Sequence, residues 1–98
     1  MRLGSFIKTP IERKRYAIDY TDWLDTGETL TTVTYTIPLV TTPPLVVDAS
    51  SLDAAHKVAV FFINGGLNNK QYTVEVVATT SGGQIKEDTV LFTVRDTQ

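Results

Sequence analysis

The most constraining feature of the sequence is a pair of alternating segments near the C-terminus, joined by a glycine-rich turn. Apolar side chains occupy every second position of residues 71–80 and again of residues 90–94, with Ser81-Gly82-Gly83 between the two segments. A period of two, interrupted by residues that favour turns, is typical of a β-hairpin that buries one face. The hairpin therefore predicts one wall of a hydrophobic core, formed by Tyr72, Val74, Val76, Val90, Phe92 and Val94.

Length and composition indicate a small all-β domain. The 98 residues suit one core, so we expect a single β-sandwich domain over residues 1–98, with residues 1–10 as an N-terminal arm or edge strand. Sixteen threonines and eleven valines favour strands, because β-branched side chains fit a pleated, half-buried surface. Since the chain has no cysteine, it can form neither a disulfide nor a thiolate metal site.

Charge and hydropathy exclude several classes of partner. A net charge of −2 offers no electrostatic attraction to nucleic acid or anionic lipid. No apolar run approaches the roughly 18 residues needed to cross a bilayer, and the N-terminus lacks the apolar core of a signal peptide. We therefore expect a soluble protein made in the cytoplasm, with no nucleic-acid or membrane partner.

Five further segments are predicted to be strands: residues 6–8, 11–19, 28–37, 45–47 and 57–63. Together with the hairpin they give seven candidate strands at short spacing. That pattern predicts an antiparallel β-sandwich of the immunoglobulin or fibronectin type III kind, with a small barrel as the alternative. Tyr72 opens the penultimate strand, where such sandwiches have a tyrosine corner whose hydroxyl bonds to backbone a few residues upstream.

Two of these segments allow finer predictions. Leu30 is out of phase with the apolar residues that follow it, which predicts a β-bulge near Thr31-Thr32. The segment 57–63 is apolar on both faces, and we expect its inner face to be Ala59, Phe61 and Ile63. Its outer face consists of Val58, Val60 and Phe62. An apolar face of this kind would need a covering layer or a partner.

An acidic stretch precedes the third strand. Carboxylates recur every third residue at Asp19, Asp22, Asp25 and Glu28, a spacing that lacks the alternate ligand positions and central Gly of a helical calcium loop. The spacing fits acids that cap the backbone donors of a turn, so no metal site is predicted. Trp23 within this stretch is expected to anchor one end of the core.

Two other polar groups each allow a functional and a structural interpretation. The cluster around Ser50, Asp53 and His56 lacks the strained G-x-S-x-G turn of hydrolases, so no catalytic residue is predicted, and Ser50-x-x-Asp53 has the spacing of a helix-capping box before a short helical turn. The basic residues 13–15 could contact phosphate, but in an acidic chain they fit better a charged strand edge that blocks unwanted pairing.

The segments YAIDYTDWL at residues 16–24 and GETL at residues 27–30 carry a family resemblance. A threonine-rich strand containing Tyr35 follows them, and the pair Gly65-Gly66, Tyr72 and a glycine turn complete the pattern. From residue 16 to residue 94 the chain resembles a family of small phage structural proteins, the fibre–tail adaptors, which have an immunoglobulin-like sandwich.

The resemblance implies a non-enzymatic virion protein without a cofactor, made in the host cytoplasm. It would link the tail or neck to fibre or baseplate components, as a homo-oligomer or in multiple copies per particle. Two protein interfaces are hypothesised, at Phe6 and Ile7 and at Val58, Val60 and Phe62. A carbohydrate- or receptor-binding module is the alternative function, for which Tyr16, Tyr20 and Trp23 would be the candidate aromatic side chains.

Overall fold

The computed structural model of the protein describes residues 2–96. Seven β-strands lie in this part of the chain: β1 (Arg2–Lys8), β2 (Arg13–Asp19), β3 (Leu30–Thr36), β4 (Leu45–Leu52), β5 (Val58–Gly65), β6 (Lys70–Thr80) and β7 (Ile85–Val94). Over residues 2–96 there is no helix with the length and apolar character needed to cross a membrane.

The strands form two sheets that pack face to face. One sheet has the order β1-β7-β6-β3 and the other has the order β2-β5-β4. Neighbouring strands are antiparallel except β1 and β7, which run parallel. The predicted all-β sandwich of about seven strands is therefore confirmed, with β1 and β3 at the edges of one sheet and β2 and β4 at the edges of the other.

The predicted hairpin is confirmed and forms one wall of the core. β6 and β7 pair from Lys70↔Val94 to Thr79↔Ile85, and the six predicted core residues are at most 2% exposed. The second wall comes from the middle strand of the other sheet, where Ala59, Phe61 and Ile63 are at most 1% exposed, as predicted. Burial of these large apolar side chains supplies the main driving force of folding.

The predicted bulge in β3 is confirmed, because the register with β6 shifts between Leu30 and Thr32. One extra residue at this place turns Leu30 into the core, where it is fully buried, and leaves Thr31 and Thr32 exposed.

The predicted helix cap at Ser50 is wrong. Residues 45–52 form β4, which pairs with β5 through a register shift between Val47 and Ala49, and Ser50 lies within it. Asp53 does act as a cap, but of the turn before β5: its Oδ1 accepts the N–H groups of Lys57 (2.7 Å) and Val58 (3.0 Å). Pairing with β5 outweighs the local preference for a helical turn, as tertiary context commonly does.

The strands define two ends of the molecule, whose Cα atoms span 44 × 22 × 19 Å. The long axis follows the strands, since the 11 residues of β6 alone extend over about 36 Å. We call the end formed by residues 9–12, 37–44 and 66–69 the corner end. The opposite end, formed by residues 20–29, 53–57 and 81–84, is called the acidic end.

Candidate interaction site

The outer face of the three-stranded sheet presents the first group of predicted interface residues. Val58, Val60 and Phe62 alternate with the buried residues of β5 and are themselves half-buried. These three side chains form an apolar strip, which is flanked by small, exposed residues at its centre, since Ala17 and Ser51 lie opposite Val60 and Ala49 lies opposite Phe62. Charged residues of β2 flank its two ends, with Arg15 opposite Phe62 and Asp19 opposite Val58.

Arg13 borders this apolar strip. Its guanidinium carbon lies 4.0 Å from the centre of the Phe62 ring, a favourable cation–π arrangement. Its Nε donates to Oδ2 of Asp48 at 2.8 Å, and this bond holds the pKa of the Asp48 carboxyl below its usual value. The basic residues 13–15 thus lie on an edge strand, where charged side chains commonly prevent pairing with another sheet.

The second group of predicted interface residues lies on the edge strand β1. Phe6 is 42% exposed and Ile7 is 50% exposed. The Phe6 ring centre lies 4.8 Å from that of Tyr16 and 5.7 Å from that of Phe92. Phe6 therefore forms part of a groove of about 240 Å³ between β1 and β2, lined by Leu3, Gly4, Phe6, Tyr16, Ala17, Ile18, Asp19, Phe61 and Val90.

The corner end is held by two buried polar side chains. The Tyr72 hydroxyl accepts the N–H of Leu67 at 2.8 Å and lies 2.5 Å from the Thr41 hydroxyl, so the predicted tyrosine corner is confirmed. Lys8 is fully buried, and its ammonium donates to the carbonyls of Gly65 (2.5 Å) and Thr9 (2.6 Å). Burial lowers the pKa of Lys8, because desolvation disfavours its charged form. Sequence reasoning missed this lysine, since no local signal marks a strand-terminal lysine as buried.

The acidic end is held by carboxylates. Glu28 is 7% exposed and accepts hydrogen bonds from the Thr80 hydroxyl (2.6 Å), the Gln84 side-chain amide (2.9 Å) and the Asp25 N–H (3.1 Å). These bonds, the one from Thr80 foremost, lower the pKa of Glu28. Asp19 similarly accepts the N–H and hydroxyl of Thr21. Between residues 2 and 96, no three His, Asp or Glu side chains lie close enough together to hold a metal ion.

The three aromatic residues of the carbohydrate alternative lie in different surroundings. Tyr20 is 3% exposed, and burial raises the pKa of its hydroxyl. Trp23 is half-buried and packs edge-on against Tyr20 at 5.7 Å, where it covers the core as predicted. Tyr16 contacts Phe6 and Phe92 in the groove. Tyr20 is therefore not available as a stacking surface for a sugar.

The topology defines the class of the protein, an immunoglobulin-like β-sandwich of one four-stranded and one three-stranded sheet. Residues 8–93 match the family described as "Gp77: Podophage GP4 fiber-tail adaptor protein gp77", and the chain belongs to this phage fibre–tail adaptor family. The resemblance predicted from residues 16–94 is thereby confirmed.

Two other comparisons add little to this assignment. No match was found among curated proteins. Among solved structures, the chain is similar to the solution structure of the PKD domain from the KIAA 1837 protein, with a TM-score of 0.48 and 14% sequence identity. That similarity covers 94% of this chain and 78% of the PKD-domain chain.

Proposed function

We propose that this protein is a non-enzymatic structural component of a phage tail, which joins a tail or neck protein to a fibre or baseplate protein. Its membership of the fibre–tail adaptor family over residues 8–93 is the observation that carries this proposal. The protein would be made in the host cytoplasm and built into the virion in several copies, with other virion proteins as its partners and without a cofactor.

The arrangement of the two candidate interfaces supports an adaptor. The apolar strip of Val58, Val60 and Phe62 belongs to the three-stranded sheet, whereas Phe6 and Ile7 lie at the edge of the four-stranded sheet. Two partners could therefore bind at the same time without competing for one surface. A sheet face offers side-chain packing, and a free strand edge offers backbone hydrogen bonds, so the two contacts would select different partners.

The test is complementation of a phage that lacks the gene, followed by mass spectrometry of purified particles. We expect the wild-type protein in the particle and expect Phe62→Ser to be excluded from it while its purified domain remains folded. Leu91→Ser is the matched control, because Leu91 is a half-buried apolar residue on the outer face of the other sheet. It should be incorporated like the wild type.

The outcomes separate the parts of the proposal. Absence of the wild-type protein from purified particles would overturn the adaptor function itself. Incorporation of Phe62→Ser at the wild-type level would show that the apolar strip is not an interface. Unfolding of the purified Phe62→Ser domain would instead assign this side chain to the core.

A further inference from the structure

Three exposed aliphatic side chains lie at the corner end, and two of them are the most exposed large apolar side chains of residues 2–96. Ile11 is 93% exposed, Val40 is 82% exposed and Leu39 is 45% exposed. Residues 37–44 contain no charged side chain, and neither do residues 66–69. Glu12 is the charged residue of the third loop, and it forms an ion pair with Lys14. Exposed aliphatic side chains gathered in this way are typical of an interaction surface.

The loops of the corner end are held together before any partner binds. The Tyr72 hydroxyl connects Leu67 to Thr41, the neighbour of Val40. The buried Lys8 ammonium connects Gly65 to Thr9, which begins the loop that contains Ile11. Because these loops are already ordered, a partner would bind without much loss of conformational entropy.

Uncompensated charge is segregated between the two ends. At the corner end, Arg13 and Lys14 form ion pairs with Asp48 and Glu12, whereas Lys70 and Arg95 form none with the residues the structure describes. Asp96 is the one unpaired acid described nearby. The corner end is thus apolar with a basic rim, although the whole protein is acidic.

The opposite end has the complementary character. Residues 19–28 contain four carboxylates and no lysine or arginine, and Asp22 and Asp25 are exposed. Neither of them forms an ion pair within residues 2–96. Lys57 lessens the negative charge of this end without reversing it, and Lys86, whose ammonium lies 6.0 Å from the centre of the Trp23 ring, forms an ion pair with Asp88. Apolar surface is also present at this end. It comes from the exposed Ala54 and Ala55 and from the half-buried Trp23 and Leu24.

We propose that the corner end binds the acidic end of a second copy of this chain, so that successive copies associate head to tail. Such a contact joins two different surfaces, and repetition therefore gives a ring if the rotation closes and a filament if it does not. The long axis of 44 Å would set the approximate spacing between copies. This inference does not depend on the adaptor role.

The size of the two ends sets the expected strength of this contact. The Cα cross-section is 22 × 19 Å, which is smaller than the roughly 800 Å² that each partner buries in a stable complex. The contact should therefore be weak in dilute solution and become significant where many copies are held together, as in a particle. Because opposite charges contribute to it, it should weaken as salt is added.

Sedimentation equilibrium of the purified protein tests this proposal with a pair of blocking variants. Val40→Asp places an acid in the corner end, and Asp22→Lys places a base in the acidic end. Each variant alone should remain monomeric, because one of its two binding surfaces is blocked. An equimolar mixture should form dimers and nothing larger, since the intact corner end of one variant can bind the intact acidic end of the other.

Two control variants carry the same kinds of change on the side of the sandwich. Thr34→Asp introduces an acid at an exposed position of β3, and Glu75→Lys reverses a charge on β6. Both variants should associate like the wild type.

The wild type should also show a dependence on salt. We expect its average mass to rise with protein concentration near 20 mM salt, and its association constant to fall about tenfold or more near 500 mM salt.

Three results would overturn the proposal. The wild type could remain monomeric at about 1 mM protein in low salt, a concentration at which even weak contacts are populated. The mixture of Val40→Asp and Asp22→Lys could form no dimer. Asp22→Lys alone could dimerise, which would indicate a symmetric contact between two corner ends instead. Circular dichroism of each variant would verify that it remains folded.

Discussion

The two ends of the sandwich solve the same structural problem with opposite chemistry. At each end, loops that cross between the sheets leave backbone groups to be paired. At the corner end a tyrosine hydroxyl accepts the Leu67 N–H and a lysine ammonium donates to two carbonyls. At the acidic end the carboxylates of Glu28 and Asp53 accept backbone N–H groups. Of these two sets of contacts, only the one at the acidic end depends on carboxylates, whose ionisation is lost at acid pH.

The difference shows why the ends suit different tasks. Tyr72 and Lys8 lie inside the corner end, whose surface carries the exposed aliphatic side chains of Ile11, Leu39 and Val40. The acids of the other end lie at its surface, apart from Glu28, and give that end its negative charge. The capping chemistry of each end therefore also determines which kind of surface it can offer to a partner.

The largest difference between the ends should come from alanine at their glycines. Gly65 has φ +78°, and a Cβ there would lie 2.5 Å from the Pro44 carbonyl oxygen, whereas Gly83 has φ +85° with no atom within 4 Å of its Cβ position. We expect Gly65→Ala to lower the free energy of unfolding by about 3 kcal/mol or more and Gly83→Ala by about 1 kcal/mol. Urea denaturation would measure both, and equal losses would contradict the close contact at Pro44.

Removal of one hydroxyl at each end should have the next largest effect. Tyr72→Phe loses two hydrogen bonds and leaves the Leu67 N–H unpaired, so we expect a loss of about 1–3 kcal/mol. Tyr20→Phe is the matched control, because the buried Tyr20 hydroxyl has no hydrogen-bond partner within residues 2–96. Its denaturation midpoint should stay the same or rise, and a loss as large as that of Tyr72→Phe would refute the comparison.

A smaller effect should appear as a pH dependence of the acidic end alone. The pKa of folded Glu28 lies below its ordinary value of 4.5, so its ionised form stabilises the fold above that pH. This contribution is lost as the pH falls through the folded pKa. Glu28→Gln should therefore lower Tm at pH 7, and its difference from the wild type should shrink as the pH falls below 4.5 and through the folded pKa. Thermal melts across this range test it, and the deficit of Tyr72→Phe should stay constant in the same series.

The smallest effect should come from two residues with positive φ that are not glycine. His56 at the acidic end has φ 56°, and Asn69 at the corner end has φ 65°. Asparagine tolerates this conformation well because its short side chain can bond to the backbone. We expect His56→Gly to raise the free energy of unfolding by about 0.5–1 kcal/mol and Asn69→Gly to change it by less than about 0.5 kcal/mol. Urea denaturation would measure both variants, and a larger increase in the free energy of unfolding for Asn69→Gly than for His56→Gly would contradict this prediction.

Much of the fold could be predicted because it rests on local patterns. The hairpin, the inward residues of β5 and the bulge at Leu30 all follow from a period of two and its interruption, which only needs neighbouring residues. The prediction failed at Ser50, where a local capping pattern competed with pairing to β5. Such pairing depends on residues distant in sequence, so the local pattern could not reveal it.

The candidate surfaces were predictable only in part. The apolar outer face of β5 was visible in the sequence, because Val58, Val60 and Phe62 alternate with the core residues. The groove beside Phe6 was not, since it depends on how β1 and β2 face each other across the two sheets.

The sequence by itself determined the C-terminal hairpin, the inner face of the core and the family, because alternation and motif order are properties of the chain taken residue by residue. Only the tertiary structure decided that Lys8 is buried, since its ammonium bonds to Gly65, 57 residues further along the chain. It also decided that the acids of residues 19–28 and the exposed Ile11, Leu39 and Val40 lie at opposite ends, because strand direction brings distant loops together.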